Sequence, residues 1–181
     1  HAMFSQYKSD TPLPTWINEG LADYFAIRIL KEFYPKLNDG ESSRSRHVSF
    51  LKKQIQSDKL RPFRTLFHQQ GTSGGADYEA YALGWCMTSL LLKNYKAQTL
   101  QFIKKVKMSE EYSGPVIPKG PLTAKEVEEI NQKLAGGQKS KEKILEDFFL
   151  ECFKVDIDKF GEIVYGQLKK SPAMLDTLGL N

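Results

Sequence analysis

The sequence predicts an all-α protein, and three observations support this class. Apolar residues recur every three or four positions along most of the 181 residues, which is the spacing of one helix face. Prolines, glycines and capping residues stand at the breaks between these segments. No segment shows a convincing alternation of apolar and polar residues, the pattern typical of strands. The length fits a single domain, residues 1–181, with a hydrophobic core.

The N-terminal half contains four predicted helical segments. The first extends from about Thr15 to Tyr34 and is ended by Pro35 and a turn at 38–40. A second covers about 43–56, and Pro62 starts a short helical turn. After a glycine-rich loop, residues 77–92 are apolar almost all round, which predicts the central buried helix.

The C-terminal half contains further helices around a long loop. A helix is predicted over about 98–107, and the stretch 108–122, rich in proline and glycine, predicts a loop that shapes a cleft or moves. A capping box at 123–126 predicts a polar helix to about 134. Two final helices are expected at 140–153 and 156–169. The domain thus divides into 1–107, the loop 108–122 and the helices of 123–181.

Composition argues against several classes of function. The net charge is only +4 and the basic residues are scattered among acids, so no nucleic-acid partner is expected. No apolar run approaches the roughly 18 residues of a membrane span. Cys86 and Cys152 lie in apolar helical contexts without metal-site spacing, and we expect buried thiols rather than a disulfide.

A pair of carboxylates on the first helix is the strongest functional signal. Glu19 and Asp23 are one turn apart on one face, among apolar neighbours that include Trp16, Ala26 and Ile27. Acids within an apolar stripe are unfavourable unless a cation or proton meets them. A carboxylate can bind zinc while a second one holds a ligating histidine in its tautomer. Gly20 would allow a second helix to approach closely.

The stretch from Trp16 to Tyr24, WINEGLADY, resembles the third-ligand helix of the gluzincin metallopeptidases, the superfamily of thermolysin and aminopeptidase N. In that family an H-E-x-x-H helix gives two zinc histidines and the general base, and a W-x-N-E-G-x-A helix gives the third ligand. The resemblance implies that Glu19 is the zinc ligand, that Asp23 is the supporting acid, and that the chain is a helical C-terminal subdomain of a zincin-like fold. It also implies a peptide or protein substrate and an extracytoplasmic location, as in related bacterial proteins.

The chain departs from the family because it contains no H-E-x-x-H. His1 lies 18 positions before Glu19, near the family's interval between its second histidine and the glutamate. His1 is either the last residue of an interrupted H-E-x-x-H, and then a metal ligand, or a cloning remnant before Met3. In both cases we expect this chain alone to hold no zinc firmly and to be inactive, with zinc and peptide hydrolysis belonging to the intact parent protein.

A tyrosine of the central helix is the second match. Aminopeptidase-type gluzincins place an oxyanion-stabilising tyrosine about 60 residues after the glutamate ligand. Tyr81 lies 62 residues after Glu19 and Tyr78 lies 59 after it. The segment Tyr-Ala-x-Gly-Trp favours Tyr81 over Tyr78 by resemblance to bacterial zincin-like proteins, although a core tyrosine with a satisfied hydroxyl is the slightly simpler interpretation of Tyr81.

Other polar residues have simpler interpretations. We expect His47 at the surface, His68 in a capping or surface role, and the basic residues of the second helix on a solvated face. The alternative for the whole chain is a non-catalytic, peptidase-like binding module. A helical nucleic-acid binder is a weaker third hypothesis, and the oligomeric state is not indicated.

Overall fold

The computed structural model describes residues 13–34, 36, 39–69, 77–113, 123–125, 127–128 and 140–179. These residues form helices without any strand, which confirms the all-α class. The helices are α1 (Thr15–Phe33), α2 (Asp39–Gln56), α3 (Phe63–His68), α4 (Tyr78–Asn94), α5 (Lys96–Met108), α6 (Glu110–Ser113), α7 (Lys141–Phe153), α8 (Ile157–Lys170) and a final 3-10 helix (Pro172–Thr177).

Most helix bounds agree with the sequence within one or two residues. The Asp77 side chain accepts a hydrogen bond from the Ala80 N–H and fixes the start of α4, as Ser140 and Asp156 do for α7 and α8. Three differences stand out. Helix α2 begins four residues earlier than expected, the predicted loop 108–122 begins with α6, and the 3-10 helix was not anticipated. Most of the polar helix expected at 123–134 lies outside the described residues.

Helix α4 is the centre of the fold, as its sequence predicted. It is buried from Ala82 to Leu91 and packs most extensively on α1. The two helices cross at Gly20 and Gly84. A methyl group built on Gly20 would lie 2.3 Å from the Gly84 carbonyl oxygen, and one on Gly84 would lie 2.6 Å from the Trp16 carbonyl oxygen. The crossing therefore requires glycine on both helices.

An aromatic cluster joins α1 and α3 to the C-terminal helices. The Trp16 ring meets the Phe63 and Phe67 rings at centroid distances of 5.5 and 5.8 Å, and Phe149 of α7 lies 5.4 Å from Phe67. These side chains are almost fully buried. Burying such rings supplies much of the stabilisation of a core, so α7 and α8 belong to the same packed body as α1 and α3.

The 3-10 helix returns the chain to α2, where Arg44 is 7% exposed. Its guanidinium donates hydrogen bonds to the Leu178 carbonyl oxygen, at 3.1 Å, and to the Asp176 carbonyl oxygen. The expectation of a fully solvated basic face on α2 was therefore wrong for Arg44, because these carbonyl groups satisfy the buried charge. Arg46 and Lys53 are exposed, as expected.

Two further expectations can be compared with the structure. Cys86 and Cys152 are free and buried, as predicted, and burial raises the pKa of the Cys86 thiol to about 12. Among the described helices, none combines the length and the apolar character that crossing a membrane requires.

Candidate functional site

The carboxylate pair lies at the border of the buried face of α1. Trp16, Ile17 and Gly20 are buried, whereas Glu19 and Asp23 are half-buried. Ala26 is exposed, so the prediction that the acids lie in the middle of an apolar stripe was wrong. At the glycine crossing, Gly20 is the residue of α1 that faces α4. The buried stripe of α1 is therefore centred on Gly20, and the two acids lie at the edge of this stripe. Both carboxylates can therefore meet groups at the surface.

Asp23 contacts a histidine that the sequence placed at the surface. The Asp23 carboxylate lies 3.2 Å from His47 Nε2, and His47 Nδ1 lies 3.1 Å from the Tyr78 hydroxyl. His47 is only 6% exposed, so the expectation for this residue was wrong. It occupies the buried face of α2, with Val48 and Leu51 on the same face. That helical spacing was visible in the sequence and was the signal for burial.

The three side chains form a chain of close polar contacts, which we call the Asp23–His47–Tyr78 array. The Tyr78 hydroxyl and His47 Nδ1 are hydrogen-bond partners at 3.1 Å, and the Asp23 carboxylate lies within ion-pair distance of His47 Nε2, at 3.2 Å. The ring is held between Tyr78 and Trp85 at centroid distances of 5.5 and 5.4 Å. Stacking, the hydrogen bond with Tyr78 and the contact with Asp23 together fix the position of His47.

The environment disfavours extra negative charge at this site. Burial raises the pKa of Glu19, and the charge of Asp23 one turn away raises it further. Burial also raises the pKa of Tyr78; Arg46 opposes this effect and Asp23 adds to it. Tyr78 is therefore a neutral phenol at neutral pH and acts as a hydrogen-bonding group rather than as a nucleophile.

The tyrosine of this array is Tyr78 and not the favoured candidate, Tyr81. Tyr81 lies three residues further along α4 and is half-buried. It has interactions of its own. Its role as an oxyanion donor stays a prediction. His1, the other candidate, lies outside the described residues.

The residues of the site match only part of a zinc centre. A catalytic zinc needs three protein ligands and an open position for water. Within the described ranges there is no group of three or more histidine, cysteine and acidic side chains able to hold a metal ion. Glu19 can supply one ligand and Asp23 can support another. The donors among the described residues are thus too few for a complete centre.

A second polar cluster lies away from α1. His68, at the end of α3, is half-buried and places Nε2 2.9 Å from a Glu146 carboxylate oxygen. Arg64 bridges Glu146 and Asp158, with its Nε 2.9 Å from Asp158. These contacts tie α3 to α7 and α8, so His68 is a structural partner rather than the simple cap or surface group that the sequence suggested. Hydrogen bonds between ionised groups such as Arg64 and Asp158 are stronger than those between neutral groups.

Comparison of this chain with models of protein families, with curated proteins and with solved structures finds no match.

Proposed function

We propose that this chain supplies the third-ligand helix of a gluzincin-like zinc metallopeptidase whose intact form hydrolyses peptide bonds. One observation carries the proposal: Glu19 and Asp23 lie half-buried on one edge of α1, one turn apart, with Asp23 held by His47. Two adjacent carboxylates that are partly removed from water favour a bound cation. The motif around them is the one that resembles the family.

The roles of the residues follow from this arrangement. Glu19 would be a metal ligand, and zinc, when bound, would activate water and polarise the substrate carbonyl group. One Asp23 oxygen lies against His47 Nε2, so its support of a zinc histidine would use the other oxygen. His47 and Tyr78 would act through Asp23 as positioning residues. Tyr81 is proposed as the oxyanion donor.

The remaining donors of the zinc centre are proposed to come from other parts of the protein. Histidine ligands and a general base would have to come from outside the described residues, with His1 as one ligand only if it is native. The chain alone is therefore proposed to be inactive and to bind zinc weakly. Peptide or protein substrates and an extracytoplasmic location are proposed for the parent protein on the same resemblance.

Zinc titration of the intact parent protein tests the ligand assignment. We expect Asp23→Asn to weaken zinc binding by roughly 10- to 100-fold, as is usual for groups that support a metal ligand, and Glu19→Gln to weaken it more. Glu32→Gln is the matched control, because Glu32 is an exposed acid on the same helix. Unchanged zinc affinity in Glu19→Gln would contradict the proposal. The absence of His-Glu-x-x immediately upstream of His1 in the parent would also contradict it.

A non-catalytic peptide-binding module is the second candidate. It is favoured by the incomplete donor set of the described residues and by the engagement of Asp23 with His47. For this candidate, the intact protein should purify without stoichiometric zinc and should bind peptides without cleaving them. Cleavage that is abolished by a chelator and restored by zinc would exclude it.

A further inference from the structure

A cleft between α1, α4 and α5 is separate from the carboxylate pair. Its volume is about 670 Å³, which lies within the range of small-molecule sites. Thr177 and Gly179 from the C-terminal segment also line it. Four segments therefore shape the cleft, and no part of the proposed peptidase function uses it.

Ser89 lies in the wall of this cleft and is a buried, unsatisfied group. Its side chain is 2% exposed, and its hydroxyl has no hydrogen-bond partner among the residues that the structure describes. Buried hydroxyl groups are almost always paired, because an unpaired one loses its hydration without compensation. A ligand oxygen that enters the cleft would supply the missing partner.

The described residues of the cleft carry an excess of positive charge. Among them, three cationic side chains line the cleft against one acid, Glu32. Arg28 is held over the Tyr24 ring, 5.5 Å from its centroid, and donates to the Tyr24 hydroxyl at 2.8 Å. Lys93 contacts the Thr177 hydroxyl at 3.4 Å, and Lys96 is exposed at the start of α5. This excess of positive charge favours an anionic ligand.

The remaining walls are apolar. Phe25 and Leu92 are half-buried in the cleft, and two aliphatic side chains are about half exposed, Ile29 at 48% and Leu100 at 50%. Large apolar side chains left in contact with water favour a ligand that covers them. The cleft thus combines a cationic rim with an apolar body.

We propose that this cleft binds an amphiphilic monoanion, a small molecule with an alkyl chain and a carboxylate head group. The alkyl chain packs on Phe25, Leu92 and Leu100. The carboxylate lies near Lys93 and Lys96, and one of its oxygens accepts the hydrogen bond of the Ser89 hydroxyl. This site does not depend on the peptidase proposal, because it shares neither Glu19 nor Asp23.

Calorimetric titration of the purified chain with decanoate tests this site, with decanol and decyltrimethylammonium as neutral and cationic probes of equal chain length. We expect decanoate to bind more tightly than either probe. The double variant Lys93→Gln, Lys96→Gln should weaken decanoate binding roughly three- to tenfold, the range for two partly exposed ion pairs, and should leave decanol binding unchanged. Lys104→Gln is the matched control, because Lys104 is an exposed lysine of α5 that does not line the cleft.

Ser89→Ala separates a binding role from a structural one. Removing an unpaired buried hydroxyl should raise the melting temperature of the free protein, whereas losing a ligand contact should lower its affinity for decanoate. Both effects together support the site. Equal affinity for decanoate and decanol, tighter binding of the cationic probe, or unchanged decanoate affinity in Ser89→Ala would overturn it. The proposal would also be overturned if an apolar peptide with a free carboxyl terminus bound to the protein and decanoate did not.

Discussion

Glu19 is a residue whose ionised form the fold disfavours. Its carboxyl is half-buried and lies one turn from Asp23, and these two effects, burial first, raise its pKa above the ordinary value of 4.5. Residues that lower the stability of the fold are concentrated at functional sites, because selection keeps them for function although they destabilise the protein. Such a residue can be tested in the free protein, without any metal.

We predict that Glu19→Gln stabilises the metal-free protein at pH 7. A group whose pKa is raised by folding contributes stability that is fully present below the unfolded pKa and is lost as pH rises through the folded pKa. Wild-type protein therefore loses this contribution as pH rises from below 4.5 through the raised pKa of Glu19, and the glutamine variant has no such loss. Melting temperatures in the presence of a chelator should show a gain at pH 7 and none at pH 3.5.

Glu32→Gln is the control for this prediction, because Glu32 is an exposed acid on the same helix. Its melting temperature should follow that of the wild type at both pH values. A gain in Glu19→Gln that is equal or larger at pH 3.5 would show that the carboxyl charge is not the cause.

At the scale of single residues, only part of the site could be predicted from the sequence. The helical spacing of Glu19 and Asp23 follows from local geometry, and the structure keeps both on one side of α1. The partner of Asp23 was missed because His47 is 24 positions away and reaches it only through the packing of α1 on α2. The apolar face of α2 indicated burial of His47, but it could not indicate which side chains would meet it.

At the scale of helices, the crossing of α1 and α4 sets the position of the site. Gly20 follows Glu19 directly, and Gly84 lies one turn after Tyr81 and next to Trp85. The close contact of these glycines therefore determines how the face of α1 with the two acids is oriented relative to the face of α4 with Tyr78. The separation of the two helix axes is set by the absence of side chains at this point.

We predict that Gly20→Ala destabilises the protein by about 1–3 kcal/mol or more, the range for overpacked core positions. The added methyl group would lie 2.3 Å from both the Gly84 carbonyl oxygen and the Thr88 hydroxyl, so α1 and α4 would have to separate. Urea unfolding measures this change as a lower midpoint at constant slope.

The matched control for Gly20→Ala is Gly166→Ala in α8. No atom lies within 4 Å of a methyl group built on Gly166. Helix propensity alone then applies, and we expect a gain of about 0.5–1 kcal/mol. Equal effects of the two substitutions, in sign and size, would contradict the role of the glycine crossing.

Helix existence was predictable from the sequence, whereas some helix ends were not. Apolar spacing is a local signal, and it placed α4, α7 and α8 within two residues. In the structure the side chains of Asp77, Ser140 and Asp156 cap the starts of these helices. The 3-10 helix was missed because its six residues are too few for helical periodicity to emerge. Its conformation depends on contact with α2, which is distant in sequence.

At the scale of the whole molecule, the C-terminal segment supports the N-terminal site. Leu175 and Leu178 are fully buried, and the position of a methyl group built on Gly179 lies 3.5 Å from the Trp85 ring. Trp85 in turn stacks on His47. Arg44 holds this segment through carbonyl oxygens of residues more than 130 positions away in the sequence. The C-terminal end of the described residues therefore packs behind the Trp85 ring, which helps to position the Asp23–His47–Tyr78 array.

We predict that Arg44→Met lowers the free energy of unfolding by about 2 kcal/mol, because a buried charged donor leaves two carbonyl oxygens unpaired. Hydrogen exchange should locate the loss at the Met174 and Leu178 amides, whose hydrogen bonds hold the 3-10 helix, before the amides of α8 are affected. Arg46→Met is the control, since Arg46 is exposed and its guanidinium donates to the Ser43 hydroxyl at 3.2 Å; its effect should stay within about 0.5 kcal/mol. Equal protection of these two amides in Arg44→Met and the wild type would contradict the anchoring role. Loss of that protection with retained protection of the His47 and Trp85 amides would instead show that the array is held by α1, α2 and α4 alone.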